Sequence, residues 1–157
     1  MEILNLINRG SKKLKDNNVL SHRLDSEVLL SKTLNKTREE LLINLDKKIE
    51  IQKINYFERL IKRRSKKEPI AYILKQKEFW SKNYHVNQNT LIPRPETELM
   101  VEGLAKHGKR QAKILDIGTG SGCIIISLLK ELKSATGIGI DVCPKAISVA
   151  KRNAKTH

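Results

Sequence analysis

Lys113-Ile114-Leu115-Asp116-Ile117-Gly118-Thr119-Gly120-Ser121-Gly122, followed by the apolar run from Cys123 to Leu132, decides how this sequence is read. Lys113 to Ile117 has the composition of a short apolar strand, and the glycines that follow break it. Cys123 to Leu132 then predicts an apolar helix. Thr136-Gly137-Ile138-Gly139-Ile140-Asp141 predicts a second strand. Pro144-Lys145-Ala146-Ile147-Ser148-Val149-Ala150 predicts a second helix, with proline in its first turn, where a missing N–H costs nothing. Strand and helix alternate, so residues 113–150 predict the βαβα start of a doubly wound parallel sheet.

The loop between the first strand and its helix is where such folds hold nucleotides. Glycine lets the backbone approach a ligand closely, and the helix start offers unpaired N–H groups. Asp141 ends the next strand about twenty residues on, where a carboxylate can accept both hydroxyls of a ribose. A dinucleotide loop would place its third glycine at position 123, which holds cysteine; here that glycine comes one residue early, at Gly122. No Gly-Lys-Ser/Thr follows, which excludes a phosphate-binding P-loop. Asp116 precedes the first glycine by two. Acid-x-Gly-x-Gly-x-Gly resembles the pattern of class I methyltransferases, which points to S-adenosylmethionine. The candidate cofactor residues are Asp116, Gly118, Thr119, Gly120, Ser121, Gly122 and Asp141. The alternative is a glycine turn in an α/β domain that holds no ligand.

Upstream, the first 75 residues read as helices. Ile3, Leu4, Leu6, Ile7 and Leu14 suit one amphipathic helix, ending near Asn17-Asn18; Leu24, Val28, Leu29 and Leu34 suit a second. Thr37-Arg38-Glu39-Glu40 has capping-box spacing and starts a short helix. Ile51, Ile54, Phe57, Leu60 and Ile61 predict another, running into Lys62-Arg63-Arg64-Ser65-Lys66-Lys67 and stopped before Pro69. Those basic residues complement the helix dipole, and the expectation is a solvated helix end rather than an RNA-contact patch. Phe79, Trp80, Tyr84 and Val86 are strand formers, and Ser81-Lys82-Asn83 has turn chemistry, so a hairpin is expected over 76–92. Two prolines then extend Leu91-Ile92-Pro93-Arg94-Pro95, and Pro95, Glu96 and Glu98 suit a helix start.

The 157 residues carry a formal net charge of +14 and only 4% aromatics. Such a balance suits polyanionic surroundings. The basic residues are scattered, however, and an even spread of lysine over solvated surface explains the charge equally well. The two cysteines, Cys123 and Cys143, have neither disulfide-motif nor metal-ligand spacing, so reduced thiols and no metal are expected. Nothing has the length of a membrane span or the layout of a secretory signal, and a soluble cytoplasmic protein is expected.

Glu68-Pro69-Ile70-Ala71-Tyr72, Glu78-Phe79-Trp80, Leu91-Ile92-Pro93-Arg94-Pro95-Glu96-Thr97-Glu98 and Asp116-Ile117-Gly118-Thr119-Gly120-Ser121-Gly122 come in the order and spacing of the HemK family. These are the peptide chain release factor glutamine N5-methyltransferases, and the chain resembles them throughout, its helical first third in pattern only. The resemblance implies an α+α/β organisation: a helical substrate-recognition domain over 1–75, a β-hairpin linker over 76–92, and from 93–157 the N-terminal part of a Rossmann-like methyltransferase domain. It implies S-adenosylmethionine as cofactor, lined by Gly118, Thr119, Gly120, Ser121 and Gly122, with its ribose on Asp141 and Pro93, Arg94 and Pro95 beside the pocket. The implied substrate is the glutamine of the GGQ motif of class I release factors, with indirect contact to RNA left open.

The sequence departs from the family at two places. Lys75 stands where members commonly have glycine. The family's Asn-Pro-Pro-Tyr motif, which holds the glutamine amide, does not occur in these 157 residues. No catalytic residue is therefore assigned, and a truncated, inactive N-terminal fragment is expected. Two alternatives stand beside it: a non-catalytic release-factor-binding module, and a piece of a bifunctional protein fused to a tRNA methyltransferase. A methyltransferase acting on RNA is a further rival.

Overall fold

The computed structural model describes residues 1–109 and 111–157. They form two compact units, Met1–Leu74 and Lys75–His157.

The first unit is helical: α1 (Ile3–Asp16), α2 (His22–Leu34), α3 (Arg38–Leu42), α4 (Ile51–Ser65) and α5 (Ile70–Leu74). The apolar stripe of α1 buries Ile3, Leu6, Ile7 and Leu14 against Leu29, Leu30, Phe57, Leu60 and Ile61 of α2 and α4. Gly10 is where α1 meets both neighbours. A Cβ there would lie 2.5 Å from Ser26 Oγ and 2.8 Å from Phe57 Cζ, so glycine's helix penalty of about 1 kcal/mol is accepted for close packing. Thr37 and Glu40 form the expected capping box: the Glu40 N–H donates to Thr37 Oγ1 at 3.1 Å, and the Thr37 N–H to Glu40 Oε2 at 2.8 Å. The short helix stops at Leu42. Leu45 packs from the turn beyond it, where its carbonyl accepts the N–H of Leu4 at 3.0 Å.

The basic stretch that closes α4, Lys62 to Lys67, is not simply a solvated end. Arg64 donates to the buried Asp25 at 2.6 Å and to the Glu68 carbonyl at 3.1 Å. Arg63 pairs with Glu68, and Lys67 Nζ donates to the Asn18 carbonyl. Lys62, Lys66 and Lys67 are exposed, Lys67 with its ammonium tied to Asn18. Charge composition could not reveal this, because the acceptors lie 39 and 49 positions away in sequence for Arg64 and Lys67.

The second unit opens with an antiparallel pair, β1 (Gln76–Phe79) and β2 (Lys82–His85). Phe79 pairs with Lys82, so the turn is Trp80-Ser81 and not the expected Ser81-Lys82-Asn83. Both turn residues have positive φ, 50° and 54°. A two-residue hairpin of this kind usually takes Asn-Gly. Trp80 is held there by tertiary bonds: its N–H donates to Glu98 and its indole Nε1–H to Glu131, at 2.9 and 2.8 Å.

Next come α6 (Glu96–His107), β3 (Lys113–Ile117), α7 (Cys123–Glu131), β4 (Thr136–Ile140) and α8 (Pro144–Thr156). β3 and β4 are parallel, with Lys113 opposite Thr136 and Ile117 opposite Ile140, which is the expected start of a Rossmann-like methyltransferase sheet. The core joins Phe79, Tyr84 and Val101 to Cys123, Ile125, Ile126 and Leu128 of α7. The buried Tyr84 hydroxyl is hydrogen-bonded to Ser127 Oγ at 2.8 Å. On the other face of the strand pair, Leu115, Ile117, Ile138 and Ile140 are exposed. That is the face on which a doubly wound sheet carries its second helix layer. Among the described residues no helix is long and apolar enough to cross a membrane.

Candidate cofactor site

The glycine loop begins where the β3–β4 ladder stops. Gly118 and Thr119 both donate their N–H groups to the Ile140 carbonyl, at 2.8 and 2.9 Å. Gly118, Gly120 and Gly122 have φ of 78°, 55° and 79°, which L side chains rarely adopt. A Cβ on Gly118 would meet nothing within 4 Å, and one on Gly120 only the Gly118 carbonyl at 3.9 Å. The backbone is therefore bare on that side, as close ligand approach requires. Gly122 serves packing instead: a Cβ there would lie 3.0 Å from Ile126 Cδ1 and 3.2 Å from Ala150 Cβ.

Asp141 follows β4 directly. Its Oδ1 accepts the Cys143 N–H and its Oδ2 the Gly120 N–H, both at 2.9 Å. These two bonds, Cys143 first, hold its carboxyl below the usual range. Asp141 is thus a fixed anion at the loop, and each oxygen retains acceptor capacity. Asp116 accepts a bond of 2.7 Å from the Thr119 hydroxyl, which braces the loop from the β3 side. Burial pushes the Cys123 thiol up, keeping it protonated and unreactive at the start of α7.

The structure thus brings Asp116, Gly118, Thr119, Gly120, Ser121, Gly122 and Asp141 together at the strand ends. Pro93 is buried and Arg94 and Pro95 are exposed on the segment entering α6, where the Arg94 and Pro95 carbonyls accept the N–H groups of Thr97 and Glu98. An apolar groove of about 200 Å³, lined by Thr119, Gly122, Ile125, Gly139, Ile147 and Ala150, lies on the packed side of the loop between α7 and α8. On the other side, above Gly118 and Gly120, a Cβ would meet nothing closer than 3.9 Å.

Three residues of this neighbourhood escaped the sequence reading. A Cβ on Gly139 would sit 2.8 Å from Thr119 Oγ1, so this strand glycine makes room for the loop; glycine inside a strand is the signal that could have found it. Val142 is fully exposed beside Asp141. Asn153 of α8 donates to the Ser121 carbonyl at 2.8 Å, and nothing local in the sequence marks it.

A glycine loop between parallel β3 and α7, with a carboxylate at the tip of the next strand, is the arrangement with which a Rossmann-like methyltransferase domain begins. Residues 108–157 match a methyltransferase domain, and residues 5–74 match the PrmC N-terminal domain. The chain is thus similar to the PrmC N-terminal domain in its helical unit and to the start of a methyltransferase domain in its last 50 residues. It is 40% identical to the release factor glutamine methyltransferase of Geobacter sulfurreducens, over 92% of this chain and 51% of the relative. It is 41% identical to the release factor glutamine methyltransferase of Buchnera aphidicola subsp. Baizongia pistaciae, over 99% of this chain and 56% of the relative. It is 38% identical to a bifunctional methyltransferase of Rickettsia felis, over 97% of this chain and 34% of the relative. The chain therefore spans from a third to just over half of the length of these relatives.

Proposed function

We propose that this chain supplies the N-terminal domain and the first half of the cofactor site of an S-adenosylmethionine-dependent enzyme. Its reaction is N5-methylation of the glutamine in the GGQ motif of class I peptide chain release factors. The observation that carries this reading is Asp141, anchored by the Gly120 and Cys143 amides beside the bare backbone of Gly118 and Gly120. In it, Gly118 to Gly122 line the cofactor and Asp141 accepts its ribose hydroxyls. Asp116 braces Thr119, and Val142 offers the adenine an apolar side chain. Pro93, Arg94 and Pro95 border the pocket. We place the protein in the cytoplasm, where release factors act.

The cofactor's sulfonium supplies a methyl group that is already activated. An amide nitrogen is a poor nucleophile because its lone pair is delocalised into the carbonyl. The work left to the protein is positioning that nitrogen and providing acceptors for its hydrogens. No Asn-Pro-Pro occurs in these residues, so we assign the amide clamp to residues other than these. The 157 residues alone are expected to transfer no methyl group.

Incubating the full-length protein with methyl-labelled S-adenosylmethionine and a release factor tests the reading. Label is expected in the release factor and not in its variant with the GGQ glutamine replaced by alanine. No label, or equal label in both, overturns it. The Rickettsia relatives named as bifunctional methyltransferases favour a second reading, in which the parent also carries a tRNA methyltransferase. Methyl transfer to tRNA by the same protein distinguishes it.

A further inference from the structure

Asn153 sits in the last turn of α8 and is 1% exposed. Its carboxamide is fully engaged. Oδ1 accepts the His85 N–H at 2.8 Å, while Nδ2 donates to the His85 carbonyl at 3.0 Å and to the Ser121 carbonyl at 2.8 Å. A carboxamide has two N–H donors and one acceptor oxygen, and here all are used. Toward His85, the last residue of β2, the side chain takes both the backbone N–H and the C=O, as a neighbouring strand would.

The other end of this tie is a particular peptide group of the glycine loop. The Ser121 carbonyl goes to Asn153, and the N–H of the same peptide, that of Gly122, donates to the Thr119 carbonyl at 2.7 Å. The peptide joins buried Ser121 to Gly122, which has positive φ and no side chain to restrain it. A peptide with glycine on one side turns more freely than one between two side-chain-bearing residues. With both of its polar groups bonded, it cannot rotate without breaking two buried hydrogen bonds. Removing such freedom before a ligand arrives raises affinity by lowering the ordering cost of binding.

We infer that Asn153 is a positioning residue of the cofactor site, fixing the Ser121–Gly122 peptide and coupling the glycine loop to the β1–β2 hairpin. The inference rests on the reading of the loop as an S-adenosylmethionine site. Two consequences follow. Replacing Asn153 loosens the loop and weakens cofactor binding, with kcat at saturating cofactor less affected than KM. Coupling is also reciprocal, so cofactor bound at the loop steadies the bond between Asn153 and the His85 amide.

The test uses the full-length protein with S-adenosylmethionine as the probe. Asn153→Asp keeps the shape and can still accept the His85 N–H, but its carboxylate can donate to neither carbonyl. Its dissociation constant by calorimetry is expected to rise roughly tenfold or more, the scale of a lost buried hydrogen bond. In the wild type, cofactor is expected to slow hydrogen exchange of the His85 amide, 36 positions from Ser121. This second measurement needs no variant, and slowing at His85 beyond that of other protected amides in the same unit reports the tie over the general stabilisation a bound ligand gives. An Asn153→Asp dissociation constant within twofold of wild type overturns the inference, and so does a His85 exchange rate unchanged by cofactor. A wild type that binds no S-adenosylmethionine overturns the reading of the site and the inference with it. Binding that is intact in both proteins overturns the positioning role alone.

Discussion

Arg64 Nε lies 2.6 Å from Asp25 Oδ2 and fastens the end of α4 to the first turn of α2. The side chains are only 18% and 5% exposed, and Asp25 also accepts the Ser21 hydroxyl at 2.8 Å. Removing the arginine strands a buried carboxylate, which costs more than the pair itself contributes. Arg64→Gln is therefore expected to destabilise the helical unit by about 2–3 kcal/mol. Lys66→Gln, on the exposed side, should change stability by less than about 0.5 kcal/mol. Urea unfolding followed by circular dichroism checks both, and equal effects would restore the view of this stretch as mere solvated charge.

Glu27 gives the same unit an acid-sensitive joint. Burial pushes its carboxyl up, but bonds from Arg38 and Arg23, each 2.7 Å, outweigh that and hold it below its ordinary 4.5. A carboxyl lowered by folding contributes stability that is present above its unfolded pKa and lost as pH falls through the folded one. The unit is therefore expected to lose stability progressively as pH falls below about 5. In Glu27→Gln that slope should flatten, with lower stability at neutral pH. Urea midpoints measured across the range, with unchanged slopes in the variant, would contradict this.

Lys75 has φ of 59°, the left-handed conformation that costs a side-chain-bearing residue roughly 1–2 kcal/mol. Its side chain is exposed. Lys75→Gly is expected to raise the unfolding free energy of the protein by up to about 1 kcal/mol, despite the added freedom of the unfolded chain. A lower melting temperature in calorimetry would show that the lysine side chain makes a compensating contact.

Asp141→Ala removes the acceptor for two loop amides as well as the proposed ribose contact. Affinity of the full-length protein for S-adenosylmethionine is expected to fall about tenfold or more. Because the Cys143 and Gly120 amides keep this carboxyl ionised well below neutrality, wild-type affinity should not change through titration of Asp141 between roughly pH 6 and 8. Calorimetry at several pH values reads both, and unchanged affinity in the variant removes Asp141 from the site.

Gly139→Ala places a methyl group 2.8 Å from Thr119 Oγ1. Thr119 must move, and its 2.7 Å bond to Asp116 loosens. The expected outcome is a loss of about 1–3 kcal/mol in stability, the range for overpacking, together with weaker cofactor binding. Gly103→Ala is the control, since a Cβ there meets nothing within 4 Å. Equal stability in the two variants would show that the loop does not depend on Gly139.

What the sequence made legible was local. The strand–glycine–helix order and Asp141 could be read because their meaning lies in spacing along a short stretch. The capping box was legible for the same reason. The turn at Trp80-Ser81 was not, since the glutamates that hold Trp80 in an unfavourable conformation come from α6 and α7. Arg64 looked like any basic residue at a helix end because its acceptor is on α2. Asn153 looked like an ordinary polar residue of α8, although its bonds reach 68 and 32 positions back.

The helical core draws only on residues from Ile3 to Leu74, and this bears on time as well as space. During synthesis that core is complete in sequence before the first glycine of the loop has been added. Domains generally fold as units, N-terminal first, as the ribosome releases them. The parallel β3–β4 pair must instead wait for its crossover helix and for the strand after it. The first unit can therefore reach its native state while the second is still being made, so its stability and its acid response belong to a module that precedes the cofactor site in the life of every molecule.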